Sequence, residues 1–151
     1  MVDLGLEARD LIVSAMLFAV LAWITWSDLE SLRIPDLASV PLIAMGLGLA
    51  AFPDGIGLQD ASIGAAMGYL FFAIPGGWFY RTTGQDGLGL GDAKLLAAAG
   101  AWLGWRSLPL LVALAAVAAL AFALLARKRR LAFGPWLSGA FWILWLRHIA
   151  A

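Results

Sequence analysis

The 151-residue sequence contains no cysteine and a single histidine, His148. Without cysteine the chain cannot form a disulfide, a catalytic thiolate or a cysteine-ligated zinc site. A lone histidine makes a histidine-ligated metal site improbable as well. We therefore expect no metal and no cofactor in this protein.

Charge is also scarce. Charged residues make up 13% of the sequence, against roughly 25% in an ordinary soluble domain. The formal net charge is zero, so no basic field is present to recruit nucleic acid, and we expect no nucleic-acid partner. Hydrophobic residues make up 63% and the mean hydropathy is +0.90. A small soluble globule cannot hide that much apolar surface, so the sequence predicts a protein surrounded by membrane lipid.

Six apolar stretches are separated by short clusters of glycine, proline and charge, and they predict an all-α integral membrane protein with about six transmembrane helices. They lie at residues 11–26, 37–52, 61–80, 94–103, 108–126 and 133–147. The fourth is short for a span of about 20 residues, so it is either tilted or begins inside the protein. No repeat or long linker divides the chain, which predicts a single domain over residues 1–151. The N-terminal residues lack the features of a cleaved secretory signal, so the first stretch is predicted to be a retained helix.

Lysine and arginine are distributed unevenly between the predicted loops. If the six helices alternate across the membrane, one side holds seven basic residues and the other three, namely Arg33, Arg81, Lys94, Arg127, Lys128, Arg129 and Arg130 against Arg9, Arg106 and Arg147. The positive-inside rule then predicts that the first group is cytoplasmic and the N-terminus is outside. Five tryptophans near predicted helix ends are expected in the headgroup region: Trp23, Trp26, Trp78, Trp102 and Trp105.

Two segments on the predicted cytoplasmic side place carboxylates where lipid makes them costly. WSDLESLRIPD, residues 26–36, carries Asp28 about one turn from the predicted membrane boundary. GQDGLGLGDAKLL, residues 84–96, carries Asp92 after a glycine-rich loop. A charge within a membrane helix costs several kcal/mol unless it faces water or a partner, so both are candidates for function. A structural alternative also exists, in which Asp92 caps a helix, Asp36 caps the next helix along, and Lys94 extends toward the interface.

Two converging aspartates have a specific chemical use. Held a few ångströms apart they cannot both ionise comfortably, so one keeps a proton while the other remains an anion, as in aspartic proteases. The anion can take a proton from a water between them, and the protonated partner can polarise a peptide carbonyl. Some 60 residues separate Asp28 from Asp92, and this spacing alone does not establish that they meet.

Three stretches resemble the membrane aspartyl peptidases that process type IV prepilins. They are DLESLRIPD (28–36), GLGLGDAKLLAAAGAWLG (87–104) and FGPWL (133–137). GxGD alone also occurs in presenilin-like and signal-peptide-peptidase-like proteins, whereas GxGDxK with the other two stretches is specific. No Tyr-Asp motif is present, which argues against a presenilin-like protease.

The resemblance implies a function and a set of site residues. The expected substrate is a prepilin or pseudopilin of a type IV pilus or type II secretion system, whose basic leader is cleaved at the cytoplasmic face of the bacterial inner membrane. Asp28 and Asp92 are the implied catalytic pair. The resemblance further implies that Gly89 and Gly91 shape the Asp92 loop, that Lys94 lies near the site, and that Pro35, Asp36, Gly134 and Pro135 are structural.

Larger members of the family carry a cytoplasmic insertion with CxxC motifs and also methylate the new N-terminus. This sequence has no cysteine and no room for that insertion between its first apolar stretches. By resemblance it matches the compact, peptidase-only members, although KLLAAAGAWLGW (94–105) is equally similar to the catalytic half of the larger type. We expect cleavage without methylation.

Other readings remain open at this point. The chain could be a non-catalytic transporter or a pilus or secretion assembly component with structural aspartates, although a transporter usually shows repeated halves. It could also be an inactive family member. Acidic residues near the site could attract a basic leader, namely Glu30, Asp36 and Asp86. The sequence does not specify an oligomeric state.

Overall fold

The computed structural model describes residues 4–85, 89–129 and 131–151. Within these ranges the chain is helical and contains no strand. The six α-helices are α1 (Leu4–Ser31), α2 (Asp36–Ala50), α3 (Leu58–Thr83), α4 (Leu90–Leu103), α5 (Leu108–Ala126) and α6 (Gly134–Ala150), with a 3₁₀ turn at Trp105–Ser107 before α5. The predicted all-α fold is confirmed, and each predicted apolar stretch corresponds to one helix.

The helix boundaries differ most where polar residues belong to a helix. The sequence predicts the end of the first helix near Trp26, but α1 continues to Ser31. The polar residues of this last turn keep the helix going, and the Ser31 hydroxyl donates to the carbonyl of Ser27 at 2.7 Å. The next residue, Leu32, has a left-handed backbone with φ of 53°, which stops the helix three residues before Pro35.

Among the described residues, three segments are long and apolar enough to cross a membrane: Ala8–Ser31, Leu58–Thr83 and Trp105–Ala126. The helix Asp36–Ala50 is apolar but shorter. These helices make the chain an integral membrane protein. That all six helices cross the bilayer stays a prediction.

Helix α4 lies inside the protein, as one of the two explanations for its short length predicted. Every residue from Leu95 to Leu103 is buried. Its neighbour α3 packs so closely against it that the two backbones are in contact. A methyl group on Gly64 would overlap the carbonyl of Gly100. The tight approach depends on glycine at both positions.

The predicted interfacial position of Trp102 is wrong. Its side chain is 3% exposed, and its indole N–H donates to the carbonyl of Leu42 at 2.8 Å. A tryptophan is buried readily when its N–H finds such an acceptor. Trp23, Trp26 and Trp78 are exposed, as expected of rings that face lipid or headgroups.

Contacts between helix ends show which ends lie together. The end of α1 contacts the start of α6 through Asp28 and Gly134, and the start of α2 contacts the start of α4 through Asp36 and Lys94. Arg9, near the start of α1, pairs with Asp54 after α2 at 3.8 Å. Asp28 and Arg9 are 19 positions apart on one helix, which corresponds to about 28 Å at 1.5 Å per residue. The carboxylate Asp28 and the Arg9 pair therefore mark opposite ends of the bundle.

Candidate active site

Asp28 lies in the last turn of α1 and is buried, with 6% of its surface exposed. The backbone N–H of Gly134 donates to its Oδ2 at 2.9 Å. Gly134 is the first residue of α6, so this N–H has no partner within its own helix. The start of α6 thus supplies a hydrogen-bond donor where a buried carboxylate needs one.

Gly134 belongs to the site because it leaves room for this contact. A Cβ at this position would lie 2.5 Å from Oδ2 of Asp28, closer than two such atoms can pack. The resemblance classed Gly134 as structural, and the analysis of the sequence missed its contact with Asp28. The available signal was a glycine directly before Pro135, which marks a helix start with free N–H groups.

Asp92 is the third residue of α4 and does not cap it. Helix α4 begins at Leu90, and the residue before it, Gly89, has an extended backbone with no side-chain cap. The N–H of Asp92 itself donates to the carbonyl of Gly89 at 3.1 Å. The explanation of Asp92 as a helix cap is therefore wrong, and its carboxyl group is left for another role.

The electrostatics connect the two aspartates. Burial and, to a smaller extent, the negative charge of Asp28 together raise the pKa of Asp92 to about 6. Asp28, from α1, is thus near enough to Asp92, from α4, for one charge to disfavour the other. The structure brings together the two carboxylates that the sequence left some 60 residues apart.

The two predicted loop glycines differ in what they do. Gly91 faces Ile34 in the connection between α1 and α2, and a Cβ there would lie 2.8 Å from the Cβ of Ile34. Gly91 is needed for this close approach. A Cβ on Gly89 would meet Asp92 Oδ2 only at an ordinary contact distance of 3.9 Å, so close packing does not explain Gly89.

Lys94 and Asp36 form an ion pair between the starts of α4 and α2. The distance from Lys94 Nζ to Asp36 Oδ1 is 2.6 Å, a partner that the alternative of Lys94 extending toward the interface did not include. Asp36 is the first residue of α2 and makes no capping hydrogen bond, which excludes its predicted role as a cap. Pro35 occupies the position before α2, as its fixed φ predicts.

The other predicted acidic residues contribute less to this geometry. Glu30 is exposed, and Asp86 lies outside the described residues, together with Gly87. Within the described ranges no group of three or more histidine, cysteine, aspartate or glutamate side chains could hold a metal ion. The arrangement as a whole provides two buried or half-buried carboxylates, with the pKa of Asp92 raised to about 6, at one end of a helical bundle.

A protein-family comparison matches residues 15–124 to the type IV leader peptidase family. The chain belongs to this family. The matched residues include both of the segments that carry Asp28 and Asp92.

Individual relatives give the same family assignment as the family comparison. The chain is 42% identical over 130 residues to a prepilin leader peptidase/N-methyltransferase of Pectobacterium carotovorum subsp. carotovorum, covering 82% of this chain and 47% of that protein. Proteins of the same description from Aeromonas salmonicida (strain A449) and Escherichia coli (strain K12) are 38% and 40% identical, covering 89% and 74% of this chain and 49% and 52% of those proteins. The chain spans about half the length of the curated relatives it matches. No solved structure matches it.

Proposed function

We propose that this protein is a membrane aspartyl endopeptidase that cleaves the short basic leader from type IV prepilins or pseudopilins. The observation that carries the proposal is the proximity of Asp28 and Asp92, expressed in the raised pKa of Asp92. Family membership and relatives described as prepilin leader peptidases support the choice of substrate. Two carboxylates and one water suffice for peptide hydrolysis without a covalent intermediate.

The surroundings of the two aspartates favour different roles. Asp28 accepts a hydrogen bond from the start of α6, which stabilises its anion and suits it to be the base. Asp92, with a pKa of about 6, is the group that holds the shared proton. In the first step water attacks the scissile carbonyl carbon, Asp28 takes a proton from the water, and Asp92 donates its proton to the carbonyl oxygen. The tetrahedral intermediate then collapses as the C–N bond breaks: the amine leaves with the proton from Asp28, and one hydroxyl of the intermediate returns a proton to Asp92, which leaves the carboxylic acid product and restores the pair.

We place the reaction at the cytoplasmic face of the bacterial inner membrane, in a multi-pass protein with its N-terminus outside. The positive-inside distribution supports this orientation, since the loop after α1, the end of α3 and the loop after α5 carry Arg33, Arg81 and Arg127 to Arg129. In this arrangement the apolar helix of the substrate lies among the membrane helices and its leader remains in the cytosol. A membrane-impermeant maleimide should label a cysteine at position 54 in intact spheroplasts, but not one at position 129.

We further propose that the chain acts as one peptidase domain and cleaves without methylating the product. The resemblance associates CxxC motifs with the methylating members, and this sequence has no cysteine. That difference motivates the expectation. The relatives are described as both peptidase and N-methyltransferase, so the two activities have to be measured separately. A free, unmethylated amine on the product supports the proposal, and a methylated amine formed by the purified protein contradicts it.

The catalytic pair is tested by replacing Asp28 and Asp92 with asparagine, one at a time. Asparagine keeps the size of the side chain but can neither act as a carboxylate base nor donate a carboxyl proton. Each variant should lose prepilin cleavage by about a hundredfold to ten-thousandfold, the range that positioned acid or base catalysis contributes. The assay incubates purified protein with a prepilin in lipid and sequences the new N-terminus.

A matched control is Asp54→Asn, at the opposite end of the bundle, which should retain cleavage. Full activity in either Asp28→Asn or Asp92→Asn removes that residue from the pair. If the folded wild-type protein leaves several prepilins and pseudopilins intact, the non-catalytic transporter or assembly role is favoured instead.

A further inference from the structure

The connection that leads from α1 into α2, residues 32–36, is fastened at two points to the start of α4, whose first turn carries Asp92. At one point the Lys94 ammonium meets the Asp36 carboxylate at 2.6 Å. At the other, Gly91 lies so close to Ile34 that a Cβ would be 2.8 Å from its neighbour. Asp28 lies just before this connection and Asp92 lies in that first turn, so the same contacts fix the relative placement of both carboxylates.

Hydrogen bonds hold the connection to the last turn of α1, so a movement at one of its ends displaces the other. The N–H of Leu32 donates to the carbonyl of Asp28 at 2.9 Å, and the Ser27 hydroxyl donates to the carbonyl of Arg33 at 3.2 Å. Ile34 is buried. A displacement of Asp36 relative to α4 would therefore be felt at the last turn of α1.

The Lys94–Asp36 pair is poorly suited to a purely stabilising role. The Asp36 side chain is 66% exposed and that of Lys94 is 25% exposed, and such surface pairs contribute little to stability. Its value is geometric, because catalytic groups tolerate little misplacement. A shift of about 1 Å can reduce a rate by about 10²-fold.

Lys94 does not act on Asp92 directly. The two residues are two positions apart on α4, and at about 100° per residue their side chains leave opposite sides of the helix. The ammonium is directed to Asp36, and the causes that set the pKa of Asp92 are burial and Asp28. An adjacent free ammonium would instead lower that pKa.

We infer that Asp36 and Lys94 are a pair of positioning residues, which hold the Asp92 carboxyl in register with Asp28 through their ion pair. This inference rests on the proposed peptidase function. It assigns neither residue a contact with the scissile bond. The interaction should matter only as a pair, so removing either partner should have the same effect as removing both.

The test compares Lys94→Met, Asp36→Asn, the double variant Lys94→Met/Asp36→Asn and the exchanged pair Lys94→Asp/Asp36→Lys in prepilin cleavage. Each single variant should lower kcat by about tenfold, within the range that small misplacements produce, and leave KM within about twofold. The double variant should be no slower than either single variant. The exchanged pair should recover most of the lost kcat, and the conservative variants Lys94→Arg and Asp36→Glu should remain close to wild type.

The pH profile separates positioning from a direct charge effect. Positioning predicts that Lys94→Met and Asp36→Asn shift the high-pH limb of kcat/KM in the same direction. A direct effect of Lys94 on Asp92 predicts opposite shifts, because removing Lys94 would raise the pKa of Asp92, whereas freeing it from Asp36 would lower that pKa. The control is Arg9→Gln, which breaks the Arg9–Asp54 pair at the opposite end and should change neither kcat nor the profile.

Additive losses, opposite pH shifts, or unchanged kcat in both single variants would overturn the inference. Thermal unfolding of each variant accompanies the kinetics, and a loss that disappears when kcat is expressed per folded molecule also counts against positioning. Failure of the underlying function looks different, since the wild-type protein would then leave prepilins intact, or Asp28→Asn and Asp92→Asn would cleave normally.

Discussion

At the scale of single residues, the surroundings of Asp92 set the pKa of its carboxyl group. An exposed aspartate loses its proton near pH 4, whereas burial and Asp28 raise the pKa of Asp92 to about 6. If Asp92 supplies the proton to the carbonyl oxygen, activity should persist up to about pH 6 and decline above it.

The predicted pH profile has a definite sign. Above pH 6, kcat/KM should fall about tenfold per pH unit as Asp92 ionises in the free enzyme. Cleavage of a prepilin in lipid between pH 4.5 and 8.5 measures this, with circular dichroism confirming that the protein stays folded. A profile that rises steadily from pH 5 to 8 would show that Asp92 is not the proton donor.

Gly134 offers a second test at this scale, with a matched control in the same helix. Gly134→Ala would place a Cβ 2.5 Å from Asp28 Oδ2, while a Cβ on Gly139 has nothing within 4 Å. Gly139→Ala, in the interior of α6, should if anything raise helix propensity. We expect Gly134→Ala to lower kcat/KM by about 10²-fold, as for a catalytic group displaced by about 1 Å, and Gly139→Ala to be neutral. Equal activities of the two variants would mean that the start of α6 does not position Asp28.

At the scale of elements, apolar length predicted the helices well, and α5 agrees with the predicted stretch at both ends. The predicted boundaries were wrong at the two helix ends that carry the candidate catalytic residues. The end of α1 and the start of α4 contain Asp28 and Asp92, which lie just outside the predicted apolar stretches at 11–26 and 94–103. An aspartate is favoured in the first turn of a helix and disfavoured in the last, so packing against other elements, which the sequence does not display, decides where α1 ends.

The packing of α3 on α4 gives the prediction at this scale. A methyl group on Gly64 would overlap the carbonyl of Gly100, whereas Gly77, later in α3, has open space. Overpacking a tight contact typically costs about 1–3 kcal/mol, so Gly64→Ala should lower the melting temperature in detergent by several degrees. Gly77→Ala should leave it unchanged or slightly higher. A Gly64→Ala variant as stable as Gly77→Ala would show that α3 and α4 do not approach this closely.

At the scale of the whole molecule, the sequence predicted the membrane class, the number of helices and the candidate aspartates. It could not predict which ends of the helices meet. Lys94 and Asp36 are 58 positions apart, and Gly134 and Asp28 are 106 apart. Such contacts depend on the arrangement of all the helices, as does the burial of Trp102, which local hydropathy assigned to the interface.

The central claim is that Asp28 and Asp92 face each other at one end of the bundle. The cysteine-free sequence allows a direct measurement, because Asp28→Cys/Asp92→Cys would contain the only two thiols in the protein. A short bifunctional thiol reagent in native membranes should link this pair efficiently and leave Asp54→Cys/Asp92→Cys unlinked. If both cysteines of the first pair react with a monofunctional maleimide but never become joined, the two carboxylates do not meet and the account is wrong.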